Sequence, residues 1–150
     1  MRHRVFAIAM VLGALGAPAC KHEANPRTLE VKLTVTGNTM AFDVTKITVR
    51  AGQQVHLVLQ NEPPGTLSHN WVLVNPGTEA AVAAAGLPKG LAGGYLTEGP
   101  NVLAHTDMIA PGQRTETTFS APSKPGNYPY ICTFPGHYLV MKGVLEVTPR

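Results

Sequence analysis

Between Cys132 and Met141 the chain reads Cys-Thr-Phe-Pro-Gly-His-Tyr-Leu-Val-Met, which sets a thiol, an imidazole and a thioether at the spacing Cys-x4-His-x3-Met. Each residue alone has a plainer role, because a cysteine at a strand end is usually a small buried apolar side chain and a methionine usually fills core. Together they form a mixed donor set. Imidazole suits copper(II), whereas thiolate and thioether suit copper(I), so one site could hold both oxidation states of a one-electron metal. Pro135-Gly136 makes a tight turn inside the segment, which lets Cys132 and His137 face the same point. A second imidazole must come from elsewhere, and Ser68-His69-Asn70-Trp71-Val72-Leu73 offers His69 at a loop-to-strand junction. Met141 then completes the set through a long, weak axial bond.

The other candidates read as structural. His56 lies mid-strand on the face opposite Val55, Leu57 and Leu59, which points it to solvent rather than to a metal. Met40 and Met108 are packing residues, and Trp71 is a core anchor beside the ligand. There is no methionine-rich cluster.

The elements that must position these groups are strands. Only 14% of the residues are charged, and 15 Gly and 13 Pro punctuate the chain, a composition that favours strands and turns over helices. Leu29, Val31, Leu33 and Val35 alternate with Glu30, Lys32, Thr34 and Thr36, the period-two pattern of a strand with one buried face. Gly37-Asn38 turns, Met40 to Val49 is a second extended stretch, and Ala51-Gly52 leads into a strand from Gln54 to Leu59. Glu62-Pro63-Pro64-Gly65 must be loop. Asn70 to Val74 resumes as a short apolar strand. Thr78 to Ala85 is the one helix, with Thr78 as cap, Glu79 in the first turn and Gly86 with Pro88 as the stop. The Gly-rich run to Gly94 is loop. Thr115 to Phe119, Asn127 to Cys132 and Gly143 to Thr148 complete the strands. The fold class is therefore all-β, a Greek-key sandwich or barrel with a short helical insertion.

The N-terminus has a different character. Met1-Arg2-His3-Arg4 is basic, Val5 to Gly16 is apolar but too short to span a membrane as a stable helix, and Ala17-Pro18-Ala19 is a small-residue cleavage site. Residues 1–19 read as a signal peptide, 20–27 as a polar tether, and 28–150 as the domain. Cys20 follows the cut. Ordinary signal peptidase and lipoprotein processing both fit the junction, although Ala17 stands where a lipobox usually has Leu. Cys20 is thus the candidate lipidation residue, and acyl chains rather than a spanning helix would anchor the mature chain. Removing Arg2 and Arg4 from the 12 basic residues leaves 10 against 9 acidic ones. That near-neutrality removes the electrostatic case for a nucleic-acid partner.

At these residues the chain resembles the azurin group of the cupredoxin, or type 1 blue-copper, family. The shared stretches are His-Asn-Trp-Val-Leu from His69, Cys-Thr-Phe-Pro-Gly-His from Cys132, Met-Lys-Gly from Met141, and Leu-Ala-His-Thr from Leu103, and the likeness runs from Thr28 to Val147. The resemblance implies an eight-stranded Greek-key sandwich with a helical flap. It implies one type 1 copper held by His69, Cys132, His137 and Met141, and a periplasmic carrier of single electrons rather than an enzyme. His105 matches a surface histidine of the group, not a ligand. In the azurin pattern the side chain of Asn70 ties the ligand loops together near the sulfur.

Three departures matter. Ser68 stands where the group has a Gly whose carbonyl approaches the metal. The N-terminal disulfide of the group is absent, since Cys132 is the only cysteine after Cys20. Tyr138, Leu139 and Val140 replace other residues beside the outer ligand histidine. The His137 loop should reach the surface, and Leu67, Pro135, Tyr138, Leu139 and Val140 would form an apolar docking patch, with Pro63 or Pro64 at its margin. The partners implied are redox proteins such as c-type cytochromes, reductases or dehydrogenases.

Rival readings lack their residues. A copper oxidase or nitrite-reductase fragment needs a second set of ligands, and no second His pair is spaced to supply one. A two-copper electron-entry site needs a second Cys in the same loop. A copper chaperone or storage protein would favour exposed Met and His clusters.

Overall fold

A computed structural model describes residues 28–150; the leader, the tether with His22, and Cys20 lie outside the described residues. Eight strands build two sheets. β1 (Leu29–Thr36), β3 (Gln54–Glu62) and β6 (Arg114–Ser120) form one, in the order β1-β3-β6. The other runs β2 (Lys46–Arg50), β8 (Lys142–Thr148), β7 (Gly126–Ile131), β4 (Val72–Val74), β5 (Val102–His105). β1 lies parallel to β3 and β2 parallel to β8, while the remaining pairs are antiparallel. The result is a two-sheet Greek-key sandwich.

The core follows from the alternation. Val31, Leu33 and Val35 of β1 and Val55, Leu57 and Leu59 of β3 are buried between the sheets, facing Tyr130, Leu145 and Val147 of the opposite sheet. Trp71 is fully buried among them, its ring 5.4 Å from Phe119 and 5.7 Å from Tyr130. A smaller cluster of Val72, Val74, Val82 and Ile131 lies where α1 (Glu79–Gly86) covers the outer face of the five-stranded sheet. That is why β4 reads as an unbroken apolar run: both its faces are covered.

Several elements differ from the sequence reading. Of the stretch from Met40 to Val49 only Lys46–Arg50 joins a sheet. Before it, Phe42 turns into the core and the Asp43 carboxylate accepts the backbone N–H of Thr34 at 2.7 Å and of Val44 at 2.9 Å, so these bonds replace a ladder. β3 continues to Glu62, and Asn70 and Trp71 precede β4 rather than belong to it. Thr78 does not cap α1 through its side chain; its hydroxyl donates to the Asn75 carbonyl at 2.7 Å instead. The helix ends with Gly86, one residue later than expected, and the chain passes into 3-10 turns at Leu87–Lys89 and Leu91–Gly93. A Cβ on Gly86 would sit 1.9 Å from the Tyr95 carbonyl oxygen, so only glycine lets the flap pack this closely. β5 was not anticipated as a strand: it is four residues long, on the sheet edge, and pairs with β4 through a register shift.

Candidate metal centre

One end of the sandwich gathers the chemistry. β3 ends at Glu62 and loops to His69, which forms an isolated antiparallel bridge with Ile109: the His69 N–H donates to the Ile109 carbonyl at 3.0 Å and the Ile109 N–H to the His69 carbonyl at 2.8 Å. β7 ends at Ile131, so Cys132 is the first residue beyond it. Pro135 and Gly136 then turn the chain, with Gly136 at φ +82°, a conformation glycine adopts without strain. His137 to Leu139 make a 3-10 turn, and Met141 lies just before β8.

The two imidazoles and the thiol converge. Cys132 Sγ lies 3.9 Å from His69 Nδ1 and 3.6 Å from His137 Nδ1, and the three donor atoms fall within 4.8 Å of one another. The histidine rings are 5.1 Å apart. Among the described residues this is the only cluster of His, Cys, Asp or Glu so arranged. Met141 is fully buried and closes the loop: the Cys132 N–H donates to its carbonyl at 3.1 Å, and its own N–H donates to the His137 carbonyl at 2.7 Å. His56 and His105 are elsewhere. His56 lies between Glu30 and Glu116 on the outer face of the three-stranded sheet, and His105 pairs with Glu98.

Burial sets the protonation states. It lowers His69 to about 4, with help from the nearby His137, and it lowers His137 in the same direction. Both rings are therefore neutral at pH 7, each with a nitrogen lone pair to give. Burial also pushes the Cys132 thiol up to about 11, against backbone N–H groups of Asn70 and Phe134 that favour the thiolate. Two neutral imidazoles and a thiol, buried together and facing one point with backbone donors already aimed at the sulfur, fit a soft cation that displaces the thiol proton.

The surroundings hold this arrangement. The Asn70 amide donates to Thr133 Oγ1 at 2.7 Å and to the Gly94 carbonyl at 3.2 Å, while its oxygen accepts the Thr133 N–H at 2.9 Å. The residue after His69 is thus clasped to the residue after Cys132, with the flap as third partner. The sequence reading passed over Thr133 and Gly94, since neither bears a metal donor and Gly94 is 39 residues from Thr133.

The surface differs in one respect from expectation. His137 does not reach solvent as an open edge: it is only 3% exposed, with the Phe134 ring 4.6 Å from its own. Leu139 at 61% and Val140 at 59% are exposed, as is Pro135, while Leu67, Ser68 and Tyr138 are half-buried. Within the 3-10 turn that begins at His137, the imidazole is the buried side chain and packs on Phe134, while Leu139 is exposed.

Comparison with known proteins agrees with this geometry. The sequence profile of the family described as copper binding proteins, plastocyanin/azurin family, matches residues 29–148. Auracyanin-A of Chloroflexus aurantiacus is 40% identical over 151 residues, covering 94% of this chain and 91% of that protein. The azurin of Pseudomonas aeruginosa is 33% identical over 152 residues, covering 96% and 98%. The solved structure of auracyanin A, described as a blue copper protein, superposes with a TM-score of 0.72 at 38% identity, covering 81% of this chain and 99% of that one.

Proposed function

The chain belongs to the plastocyanin/azurin family of copper-binding proteins, and on that premise we propose that it carries single electrons between redox partners in the periplasm through one type 1 copper. His69, Cys132, His137 and Met141 match the ligands of such a site. The observation that carries the reading is the convergence of two Nδ1 atoms and one Sγ within 4.8 Å at a buried end of the domain. His69, Cys132, His137 and Met141 would hold the copper, which when bound would supply a one-electron couple that their mix of imidazole, thiolate and thioether suits in both oxidation states.

The residues of the chain supply the rest. Cys132 gives up its proton on binding, and His69 and His137 have no proton to lose. The Asn70–Thr133 clasp and the Met141 backbone bonds hold the donors in place, so little rearranges when an electron arrives. Of the expected docking residues, Pro135, Leu139 and Val140 are exposed beside His137 in sequence and Leu67 is half-buried, and these would form the docking face; Tyr138 instead packs against the cluster beneath α1. A small apolar face suits the brief encounters of redox partners such as c-type cytochromes, reductases or dehydrogenases.

An exported location is supported by residues 1–19, which have the pattern of a signal peptide, and Cys20 stands ready for acylation. The register gives such an anchor a consequence. Leu29 pairs with Val55 and Thr36 with Glu62, so β1 starts at the end of the sandwich away from the donors. A tether entering there would turn the copper end away from the membrane.

The test is the visible and electron paramagnetic resonance spectrum of the copper(II)-loaded protein beside Cys132→Ser. An intense blue thiolate band with narrow copper hyperfine splitting, both lost in Cys132→Ser, is the expected result. A colourless protein, or an ordinary tetragonal signal untouched by the substitution, would overturn the proposal.

A further inference from the structure

β3 carries its inward positions as Val55, Leu57, Leu59 and then Asn61, so an amide occupies a place in the core alternation where the pattern calls for an apolar side chain. Asn61 is fully buried. Its Nδ2 donates to the Leu67 carbonyl at 3.0 Å and to the Ile109 carbonyl at 3.2 Å. Leu67 is two residues before His69, and Ile109 is the residue that bridges His69 through both of its backbone groups. The backbone of Asn61 is held in turn by the segment following Ile109: its N–H donates to the Gln113 carbonyl at 3.0 Å and its carbonyl accepts the Gly112 N–H at 2.7 Å. Both chain segments that fix His69 therefore hang on one side-chain amide.

The remaining atom of that amide makes the case sharper. Asn61 Oδ1 is buried with no hydrogen-bond partner among the described residues, an arrangement that folded proteins rarely retain. A leucine of similar volume would avoid that loss and extend the apolar run, but it would offer neither carbonyl a donor. The position requires two N–H donors from one rigid planar group.

We propose that Asn61 is a positioning residue for His69, setting where Nδ1 stands relative to Cys132 Sγ; this rests on the copper reading of the same site. Without the two donors, the Leu67 carbonyl loses its side-chain partner and the Ile109 carbonyl keeps only the His69 N–H, so the loop that carries His69 shifts. The role is separate from that of Asn70, which ties His69 to the Cys132 loop; Asn61 ties it to the sandwich.

The experiment compares Asn61→Leu with Val55→Ala, a cavity at the far end of the same strand, and with Asn61→Ser, whose shorter side chain can serve at most one carbonyl. Copper(II) spectra, the rate of copper loss to a chelator and the thermal midpoint are measured for each. Asn61→Leu should keep the blue thiolate band but widen the copper hyperfine splitting and lose copper about 10- to 100-fold faster, the range set by changes around metal ligands. Asn61→Ser should move the same way by less, and it carries the test alone if Asn61→Leu does not fold. Val55→Ala should lower the midpoint while leaving spectrum and rate unchanged. Asn61 variants that lower the midpoint but match Val55→Ala in spectrum and rate would overturn the proposal. Should the parent protein itself show no blue band, the copper reading fails, and amide exchange in the metal-free protein decides Asn61 independently. Exchange at His69 and Ile109 should then be about tenfold faster in the Asn61 variants than in Val55→Ala, and equal rates would refute the role.

Discussion

His69 is a residue that the metal-free fold accommodates only in its neutral form. Burial holds it near 4, against an ordinary value of 6.5 in the unfolded chain. Between those values the unfolded chain takes up a proton that the folded one refuses, so the equilibrium shifts towards unfolding as pH falls. The contribution is fully present above pH 6.5 and is lost progressively towards pH 4, with His137 acting in the same direction. The metal-free protein should therefore melt at a lower temperature at pH 5 than at pH 7.5, and His69→Gln should shrink that difference. Equal melting temperatures in the parent at both pH values would show that burial does not set the histidine.

At the scale of elements, the flap is the part whose contribution is least visible in sequence. α1 packs Val82 against the outer face of the five-stranded sheet, and the turns after it bring Tyr95 to within 5.4 Å of Phe134, ring to ring. Phe134 in turn lies against His137. The approach of Gly86 to the Tyr95 backbone is what closes this chain of contacts. Gly86→Ala must push two backbone segments apart, at a cost of about 1–3 kcal/mol. A lower unfolding midpoint with the thiolate band retained is the expected outcome, readable by thermal melts of the copper-loaded protein. A midpoint unchanged from the parent would mean that the flap yields freely and does not brace the site.

At the scale of the whole molecule, the donors sit at one end, with the exposed Leu139 and Val140 in the same loop, and β1 begins at the other. Without residues 1–19 the chain carries 10 basic against 9 acidic residues, so on the proposed reading apolar contact rather than charge selects partners. Leu139, 61% exposed, is the test residue because it stands on the proposed docking face without touching the donor set through any hydrogen bond of its side chain. Leu139→Glu places a carboxylate in an interface that must shed water. Electron exchange with a c-type cytochrome, followed by stopped-flow absorbance, should slow by about tenfold, equivalent to roughly 1.4 kcal/mol of encounter stability. The visible spectrum should not change. Undiminished transfer to every partner tried would place the docking face elsewhere.

The candidate donor set and the class of fold were legible in the sequence alone, for two physical reasons. Metal chemistry needs particular atoms, and three of the four candidate ligands lie within the ten residues from Cys132 to Met141, where a Pro-Gly turn is enough to bring them together. Strand periodicity is likewise local, so β1 and β3 stand out plainly while β5, four residues at an edge, does not. What the tertiary structure alone decided is non-local. Tyr95 meets Phe134, the ring that lies against His137, only when the sandwich closes and brings the flap to the metal loop, around a histidine expected at the surface and found buried. Asn61 belongs to the same group. In sequence it is a polar residue two positions past the strand read from Gln54 to Leu59; only the folded sandwich shows that its two donors meet the carbonyls of Leu67 and of Ile109, the bridge partner of His69.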